Sequence, residues 1–154
     1  MEGDEALKLD NQLCFAVYAC AREITKLYHP LLKELGLTYT QYVTLLALWE
    51  QDGVTVKHLG GRLHLDSGTL TPLLKKLEQM GLVTRERDPQ DERSVRIGLT
   101  EDGVRLKDKA RDIPSKLVCQ LGVTGKEAET LRLTMMDALR RVQSSPSAIE
   151  TETR

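Results

Sequence analysis

Residues 55–81 read TVKHLGGRLHLDSGTLTPLLKKLEQMG, and this stretch decides the fold. The pattern predicts a short helix over residues 55–63, a tight turn, and a second helix over residues 67–80 that ends at Gly81. Two short helices joined in this way form a helix-turn-helix, whose second helix enters the major groove of DNA in proteins that use it for recognition. We therefore expect a DNA-binding domain around this stretch.

The sequence on either side of this stretch completes the domain. Before it, Thr38 and Gln41 have the form of a capping box that opens another helix. After Gly81, residues 82–87 and 94–99 both read as strands, and the polar residues 88–92 lie between them. This pattern predicts a charged β-hairpin, or wing. The winged helix-turn-helix DNA-binding region is expected to cover residues 37–99.

Long helices are predicted on both sides of this region. After Asp10, a good N-cap candidate, apolar residues recur with a heptad-like rhythm that suits packing against a partner chain. This apolar seam consists of Leu13, Val17, Cys20, Ile24, Leu27 and Leu31. On the far side, Thr100 opens a helix that Pro114 interrupts, and Thr124 caps a last helix that runs to about Val142.

The composition limits the possible architectures. A chain of 154 residues with 40% hydrophobic content fits one domain, and a single Phe and a single Trp leave an aliphatic, slender core. Such a core often grows by burying helices against a second subunit, so a dimer is plausible. The expected fold is mainly α with a small β-hairpin wing, dimerising through its N- and C-terminal helices. The predicted regions around the DNA-binding part are an N-terminal extension over 1–9, dimerisation helices over 10–36 and 100–143, and a disordered tail over 144–154.

The charge is distributed unevenly along the chain. The net charge is −1, yet residues 53–97 hold eight Lys/Arg against six Asp/Glu, a local excess of +2. There is no apolar run typical of a signal peptide or membrane span, so we expect a cytoplasmic protein with no membrane partner. Three irregularly spaced cysteines argue against a disulfide framework and against a metal site.

The predicted DNA contacts lie on the second helix of the motif and on the wing. Short polar side chains at the start of that helix reach base edges, whereas lysines one turn later and wing arginines meet phosphates. Arg93 lies beside the hairpin tip, where it can enter the minor groove, and Asp91 is placed to orient it. The predicted DNA-binding residues are Asp66, Ser67, Thr69, Thr71, Lys75, Lys76, Arg85, Arg87, Asp91 and Arg93, with Arg96 as a further wing arginine. Taken singly, these charges are equally consistent with a solvated hairpin, but an Arg-rich wing beside a helix-turn-helix favours DNA binding.

Cys14 lies near the N-terminus of the first predicted helix. The helix dipole there favours a thiolate, which is the form that attacks peroxides. Tyr18 and Tyr28 lie on a stripe beside the apolar seam, and Tyr39 opens the second helix; all three are candidate hydroxyl donors to such a thiolate. An inert buried thiol is the alternative at Cys14.

The other two cysteines carry no local signal of reactivity. Cys20 falls inside the apolar seam and reads as a small core residue. Cys119 lies near the end of the helix that Pro114 interrupts, and on local grounds a structural role is favoured.

Three motifs resemble a known family. They are LDNQLCF at residues 9–15, LDSGTLTPLL at residues 65–74 and DERSV at residues 91–95. With them the chain resembles the organic hydroperoxide resistance regulators of the MarR family over roughly residues 8–142. The resemblance implies a homodimer with interlocking terminal helices, in which each subunit applies a recognition helix and a wing to palindromic double-stranded operator DNA.

The resemblance also implies a redox mechanism. Cys14 matches the peroxide sensor, which tyrosines matching Tyr28 and Tyr39 hold across the dimer interface. Oxidation by an organic hydroperoxide to the sulfenic acid releases the DNA. In some members a second cysteine of the other subunit then forms a disulfide, and Cys119 stands in the matching region as the resolving residue; members without it use a small thiol. Cys20 is an extra thiol that leaves the partner of Cys14 open.

The sequence therefore predicts a redox-sensing repressor with no enzymatic activity, no cofactor and no metal. One alternative is a repressor that binds a small hydrophobic ligand, with all three cysteines inert. Another is a thiol peroxidase, although the chain has no separate motif for docking a reductase.

Overall fold

The computed structural model describes residues 3–145, which form mainly helices and a small antiparallel sheet. The helices are α1 (Leu13–Lys33), α2 (Tyr39–Glu50), α3 (Val56–Leu63), α4 (Ser67–Gln79), α5 (Glu101–Ala110), α6 (Ile113–Leu121) and α7 (Gly125–Ser144). The strands are β1 (Val54–Thr55), β2 (Val83–Asp88) and β3 (Asp91–Leu99), in the order β1-β3-β2.

The predicted fold class, mainly α with a β-hairpin wing, is confirmed. The described residues divide into two compact units, residues 3–113 and 114–145. The predicted tail over 144–154 lies outside the described residues except for Ser144 and Ser145.

Side-chain caps define the two helices of the helix-turn-helix. Thr55 accepts the backbone N–H of His58 at 3.1 Å and so begins α3. Asp66 accepts the backbone N–H of Thr69 at 2.8 Å and is the N-cap of α4, a position that the sequence alone leaves open. Each cap satisfies a backbone donor that would otherwise lack a partner in the first turn.

The tight turn between α3 and α4 depends on two unusual residues. His64 ends α3 in the left-handed region, with φ 54° and ψ 39°. A Cβ atom on Gly60 would lie 2.8 Å from the carbonyl oxygen of Leu65, whereas one on Gly61 would meet nothing within 4 Å. Gly60 therefore allows the close approach of the turn, and this offsets its low helix propensity.

The wing has a shorter tip than the sequence predicted. Strands β2 and β3 pair from Val83 opposite Leu99 to Asp88 opposite Asp91, so that only Pro89 and Gln90 form the tip. The register shifts between Arg87 and Asp88. Strand β1 was not predicted, because two residues are too few to show a periodicity.

The start of α1 differs from the prediction. Asp10 is not its N-cap but lies in a 3₁₀ turn over Leu9–Asn11, and α1 begins at Leu13 with Gln12 at the cap. The Gln12 amide instead donates to the carbonyl oxygens of Ala6 and Lys8, at 2.6 and 3.0 Å. These hydrogen bonds hold the Gln12 side chain against the residues before α1, and the helix begins directly after Gln12.

The core of residues 3–113 is aliphatic, as its composition predicted. Its most buried side chains include Tyr42, Leu45, Leu48, Leu59, Leu70, Leu74, Leu77 and Ile97. The N-terminal half of the apolar seam lies outside this core, since Leu13 is 77% and Val17 43% exposed. Cys20 is exposed as well, so its predicted burial in the core does not hold within a single chain. Among residues 3–145, the N-terminal half of the seam is therefore largely exposed.

Helix α5 is joined to the wing and to α2 by close backbone contacts. A Cβ atom on Gly103 would lie 2.1 Å from the carbonyl oxygen of Leu82, so only glycine fits there. The indole N–H of Trp49 donates to the carbonyl oxygen of Gly103 at 2.9 Å. Thr100, the predicted N-cap, accepts the N–H of Gly103 and donates its hydroxyl to the carbonyl oxygen of Gly81.

Residues 114–145 form most of α6 and all of α7. Pro114 lies in the first turn of α6, where its missing N–H costs no hydrogen bond, so the predicted interruption is a break between two helices. Thr124 and Glu127 form a capping box that begins α7. Helix α7 has no buried residue and exposes Leu131, Leu133, Met135, Met136 and Val142. Among residues 3–145, no helix is long and apolar enough to cross a membrane.

Candidate nucleic-acid interface and redox site

The N-terminal turn of α4 presents small polar side chains. Ser67 and Thr69 are exposed and Thr71 is half-buried. Asp66 accepts both the N–H and the hydroxyl of Thr69, and these hydrogen bonds lower the pKa of its carboxyl group. Asp66 is thus engaged in shaping the helix end, which leaves Ser67 to reach outward.

Lys75 and Lys76 follow on the same helix and are both exposed. Within residues 3–145, neither ammonium group forms an ion pair with an acidic side chain. Both charges are therefore available to an external anion such as a phosphate.

The wing tip is organised by Asp91. Its carboxylate accepts the backbone N–H of Arg93 at 3.0 Å and the hydroxyl of Ser94 at 2.9 Å. Asp91 therefore fixes the backbone beneath Arg93, rather than pairing with its guanidinium. Arg93 is exposed, and Arg87 is exposed with one contact, to the carbonyl oxygen of Glu92 at 3.4 Å.

Arg85 differs from the other predicted wing contacts. Its guanidinium lies 3.5 Å from the carboxylate of Glu78 on α4, and only 22% of its side chain is exposed. Its Nε is buried and has no hydrogen-bond partner among the described residues. The ion pair between Arg85 and Glu78 links the wing to α4.

A half-open cavity of about 750 Å³ lies between the wing and the helix-turn-helix. Its lining includes Lys57, Ser67, Thr71, Arg85, Arg93 and Ser94. Predicted contacts from α4 and from the wing thus face one concave surface. The arrangement offers hydroxyl and guanidinium donors to a single polyanionic ligand.

Cys14 is the second residue of α1 and is exposed. In this first turn the backbone N–H groups have no partner within the helix, and the positive end of the helix dipole faces the side chain. The position is closer to the helix terminus than the sequence predicted, because α1 begins at Leu13.

Tyr28 and Tyr39 meet in a cluster with Tyr42. The ring of Tyr28 lies 4.8 Å from that of Tyr39 and 5.8 Å from that of Tyr42. Burial raises the pKa of Tyr28 to about 12, with smaller effects of the two neighbouring tyrosines, and burial also raises the pKa of Tyr39 and Tyr42. All three hydroxyls therefore stay protonated and able to donate at neutral pH. Tyr42 was missed by sequence reasoning, although its position three residues after Tyr39 puts it on the same helix face.

The tyrosine cluster is remote from Cys14 of the same chain. Tyr28 lies about four turns further along α1, which corresponds to about 21 Å at 1.5 Å per residue. A tyrosine side chain spans only a fraction of that distance. A hydrogen bond from Tyr28 to the sulfur of Cys14 therefore requires a second copy of the chain.

The remaining candidates have separate environments. Tyr18 accepts a hydrogen bond from the guanidinium of Arg22 at 3.0 Å, so its hydroxyl is already engaged. Cys119 lies on α6, and Cys14, Cys20 and Cys119 are all free and exposed. Among residues 3–145, no group of three or more His, Cys, Asp or Glu is arranged to bind a metal ion.

Comparison with known proteins places these features in a family. Residues 26–110 match the family model described as transcriptional regulator SarA/Rot. The chain is 56% identical to the organic hydroperoxide resistance transcriptional regulator of Bacillus subtilis strain 168, over 82% of this chain and 84% of that protein.

Comparison with solved structures agrees with these family matches. The chain matches reduced AbfR bound to DNA with a TM-score of 0.74 and 35% identity, over 92% of this chain and all of that one. It matches disulfide-formed AbfR with a TM-score of 0.61 and 38% identity, over 88% of this chain and 95% of that one. It also shares the fold of MarR, with a TM-score of 0.70 at 23% identity, over 84% of this chain and 96% of that one.

Proposed function

Because the chain belongs to the organic hydroperoxide resistance regulators of the MarR family, we propose that it is a redox-sensing repressor that binds operator DNA as a homodimer and releases it when Cys14 is oxidised. The observation that carries this proposal is the separation of Cys14 from Tyr28 and Tyr39 along the chain. A nucleophilic thiol and a cluster of protonated hydroxyls are both exposed to some degree, yet they lie too far apart to meet within one subunit.

The homodimer follows from the same geometry and from the exposed apolar residues. Much of the seam of α1 and the apolar residues of α7 are uncovered in one chain. Large exposed apolar surfaces of this kind are covered by a partner in soluble proteins. In a two-fold dimer the Cys14 end of one α1 lies against the Tyr28 end of the other, so each subunit completes the sensor of its partner.

In the proposed complex, α4 enters the major groove and the wing follows the backbone. Ser67, Thr69 and Thr71 contact base edges, while Asp66 holds the helix end that presents them. Lys75, Lys76 and Arg87 neutralise phosphates, and Arg93 enters the minor groove from a tip that Asp91 shapes. Arg85 lines the shared cavity and keeps the wing at a fixed distance from α4.

The redox step is an attack of the Cys14 thiolate on the peroxide oxygen. The S–O bond forms as the O–O bond breaks; the peroxide is reduced to an alcohol, and Cys14 is oxidised to the sulfenic acid. The thiol of the partner's Cys119 then attacks the sulfenic sulfur and releases water, giving an intersubunit disulfide. The disulfide-formed state of the relative AbfR supports a disulfide rather than a stable sulfenic acid. A small thiol is the other candidate for the second step.

Release follows from the steep dependence of DNA affinity on phosphate contacts. A disulfide between subunits displaces the helices that carry the two recognition helices and wings. A shift of a few ångströms breaks several phosphate contacts at once, and each contact contributes to the salt-sensitive part of the affinity. Oxidation at one cysteine is therefore sufficient to lower the occupancy of an operator.

The test measures DNA binding by reduced protein, using a duplex that wild-type protein selects from a randomised library under reducing conditions. We expect nanomolar binding that is lost after stoichiometric cumene hydroperoxide. Cys14→Ser should bind the duplex and ignore the peroxide, whereas the control Cys20→Ser, on the same helix, should respond like wild type. Release of DNA from Cys14→Ser by peroxide would refute the sensor role. Release by phenolic compounds under full reduction would favour the ligand-binding alternative.

A non-reducing gel of the same samples decides the second step. A covalent dimer that forms in wild type and Cys20→Ser, but not in Cys14→Ser or Cys119→Ser, supports the intersubunit disulfide. If Cys14 is oxidised while the chains stay separate, a small thiol is the resolving partner, and Cys119 has a structural role.

A further inference from the structure

One wing arginine makes two polar contacts within the protein and so links three segments of the chain. The Nε of Arg96, on β3, lies 3.0 Å from the carboxylate of Asp88 at the end of β2. A terminal nitrogen of the same guanidinium donates a hydrogen bond of 2.9 Å to the carbonyl oxygen of Gly53, in the turn before β1. We propose that Arg96 and Asp88 form a brace that positions the wing for DNA, and that Arg96 is a positioning residue rather than a DNA contact. This inference rests on the proposed DNA-binding function.

The environment of Asp88 supports an internal role. Asp88 is 6% exposed, whereas Asp91 and Glu92 on the same hairpin are exposed. Its second carboxylate oxygen accepts the backbone N–H of Gln90 at 3.0 Å, and this bond together with Arg96 lowers the pKa of Asp88. A carboxylate removed from water needs such partners, and removing one of them leaves the other uncompensated.

The brace acts at both ends of the central strand. At one end, Asp88 lies opposite Asp91 where the register shifts, directly below the two-residue tip. At the other end, Gly53 neighbours Asp52, whose carboxylate accepts the N–H groups of Gly53 and Leu99 at 2.7 and 2.8 Å. The tip that carries Arg93 is thereby tied to the body of the domain through side chains, in addition to the ladder of the sheet.

Arg93 provides the contrast. It is exposed, and its backbone N–H, rather than its guanidinium, is held by Asp91. Arg96, whose side chain is 44% exposed, instead uses two of its donor groups for contacts with Asp88 and Gly53. Arg93 is therefore free to contact DNA, whereas Arg96 positions the wing. Substituting each arginine in turn should distinguish these two roles.

The first experiment follows amide hydrogen exchange in the free, reduced protein. Arg96→Gln and Asp88→Asn should speed the exchange of wing amides, including that of Gln90, by roughly threefold or more, since each loses a charge-assisted hydrogen bond. Glu86→Gln is the matched control, because Glu86 lies directly opposite Arg96, is exposed, and loses the same charge. Unchanged exchange in both brace variants would overturn the proposal.

The second experiment measures the salt dependence of binding to the duplex selected by wild-type protein. Arg96→Gln should weaken binding by roughly three- to tenfold at every salt concentration with the wild-type slope, whereas Arg93→Gln should flatten the log–log slope by about 0.9 for each phosphate that is no longer neutralised. Asp88→Asn should also weaken binding, although it removes a negative charge, and Glu86→Gln should not. A flattened slope in Arg96→Gln, or tighter binding by Asp88→Asn, contradicts the brace. If wild-type protein selects no duplex, the proposed function fails, and amide exchange alone decides whether the brace exists.

Discussion

The rings of Tyr28 and Tyr39 lie 4.8 Å apart at an interplanar angle of 51°, although Tyr28 belongs to α1 and Tyr39 begins α2. Their contact packs the side chain of Tyr28 on α1 against the first turn of α2. A substitution or displacement of Tyr28 should therefore alter the packing at the start of α2. This contact gives the proposed sensor a direct physical link to the helices of the proposed DNA-binding region.

Removing a tyrosine hydroxyl should slow the sensor without unfolding it. In Tyr28→Phe and Tyr39→Phe the ring contact remains, but one hydrogen-bond donor to the Cys14 thiolate of the partner is absent. We expect the rate of Cys14 oxidation by cumene hydroperoxide to fall roughly tenfold in each, since a hydrogen bond to a charged acceptor contributes about 1.5 kcal/mol. Stopped-flow mixing followed by mass spectrometry of the Cys14 peptide measures this rate.

The control for these variants is Tyr18→Phe. The Tyr18 hydroxyl is engaged by Arg22 within its own helix, so its removal should leave the oxidation rate near that of wild type. Equal slowing in all three variants would show that the effect is not specific to the cluster.

Alkaline pH should destabilise the fold through Tyr28. Burial raises its pKa to about 12 in the folded chain, against an ordinary value of 10.0. The unfolded chain therefore releases the proton first, so stability is unaffected below pH 10 and falls as the pH rises from 10 towards 12. The midpoint of urea unfolding should drop between about pH 9 and about pH 11, and less so in Tyr28→Phe.

This measurement needs a fixed protein concentration, because the stability of a dimer depends on it. An alkaline drop of the same size in wild type and Tyr28→Phe would show that other groups cause it.

The two adjacent glycines of α3 should respond oppositely to alanine. Gly61→Ala meets nothing within 4 Å and should stabilise the protein by about 0.5–1 kcal/mol through helix propensity. Gly60→Ala places a Cβ 2.8 Å from the carbonyl oxygen of Leu65 and should destabilise it by about 1–3 kcal/mol. Urea unfolding of the two variants at equal concentration provides the comparison, and stabilisation by both would refute the close approach in the turn.

The sequence predicts well the elements whose signals are local. The caps at Thr38, Thr100 and Thr124 are visible as short polar motifs, and all three accept the expected backbone N–H. The predicted start of α1 is wrong, because the Gln12 side chain bonds to carbonyls of the preceding turn. The spacing of residues along the sequence does not reveal these hydrogen bonds.

The candidate site was predictable as a set of residues but not as an arrangement. Residue type and position on the wing pointed to Arg85 and Arg93, with Arg96 as a further wing arginine. The structure pairs Arg85 with Glu78 and Arg96 with Asp88, contacts that depend on how the hairpin folds over the domain. Tyr42 was overlooked for a related reason, since its role in the cluster depends on the packing of α1 against α2.

The lysines of α4 should determine the salt sensitivity of DNA binding. Lys75→Gln and Lys76→Gln each remove one exposed charge from the helix that carries the predicted base contacts. Each should weaken binding uniformly across DNA sequences and reduce the magnitude of the salt slope by about 1. Ser67→Ala instead should change the order of preference among duplexes while leaving the slope intact, because base contacts specify and phosphate contacts position.

Fluorescence anisotropy over a salt series with two duplexes of different sequence separates the two effects. Lys126→Gln, at the exposed start of α7, is the matched charge control and should leave both slope and preference unchanged. If Lys126→Gln flattened the slope as much as Lys75→Gln does, the dependence would report overall charge, and α4 would lose its assignment as the recognition helix.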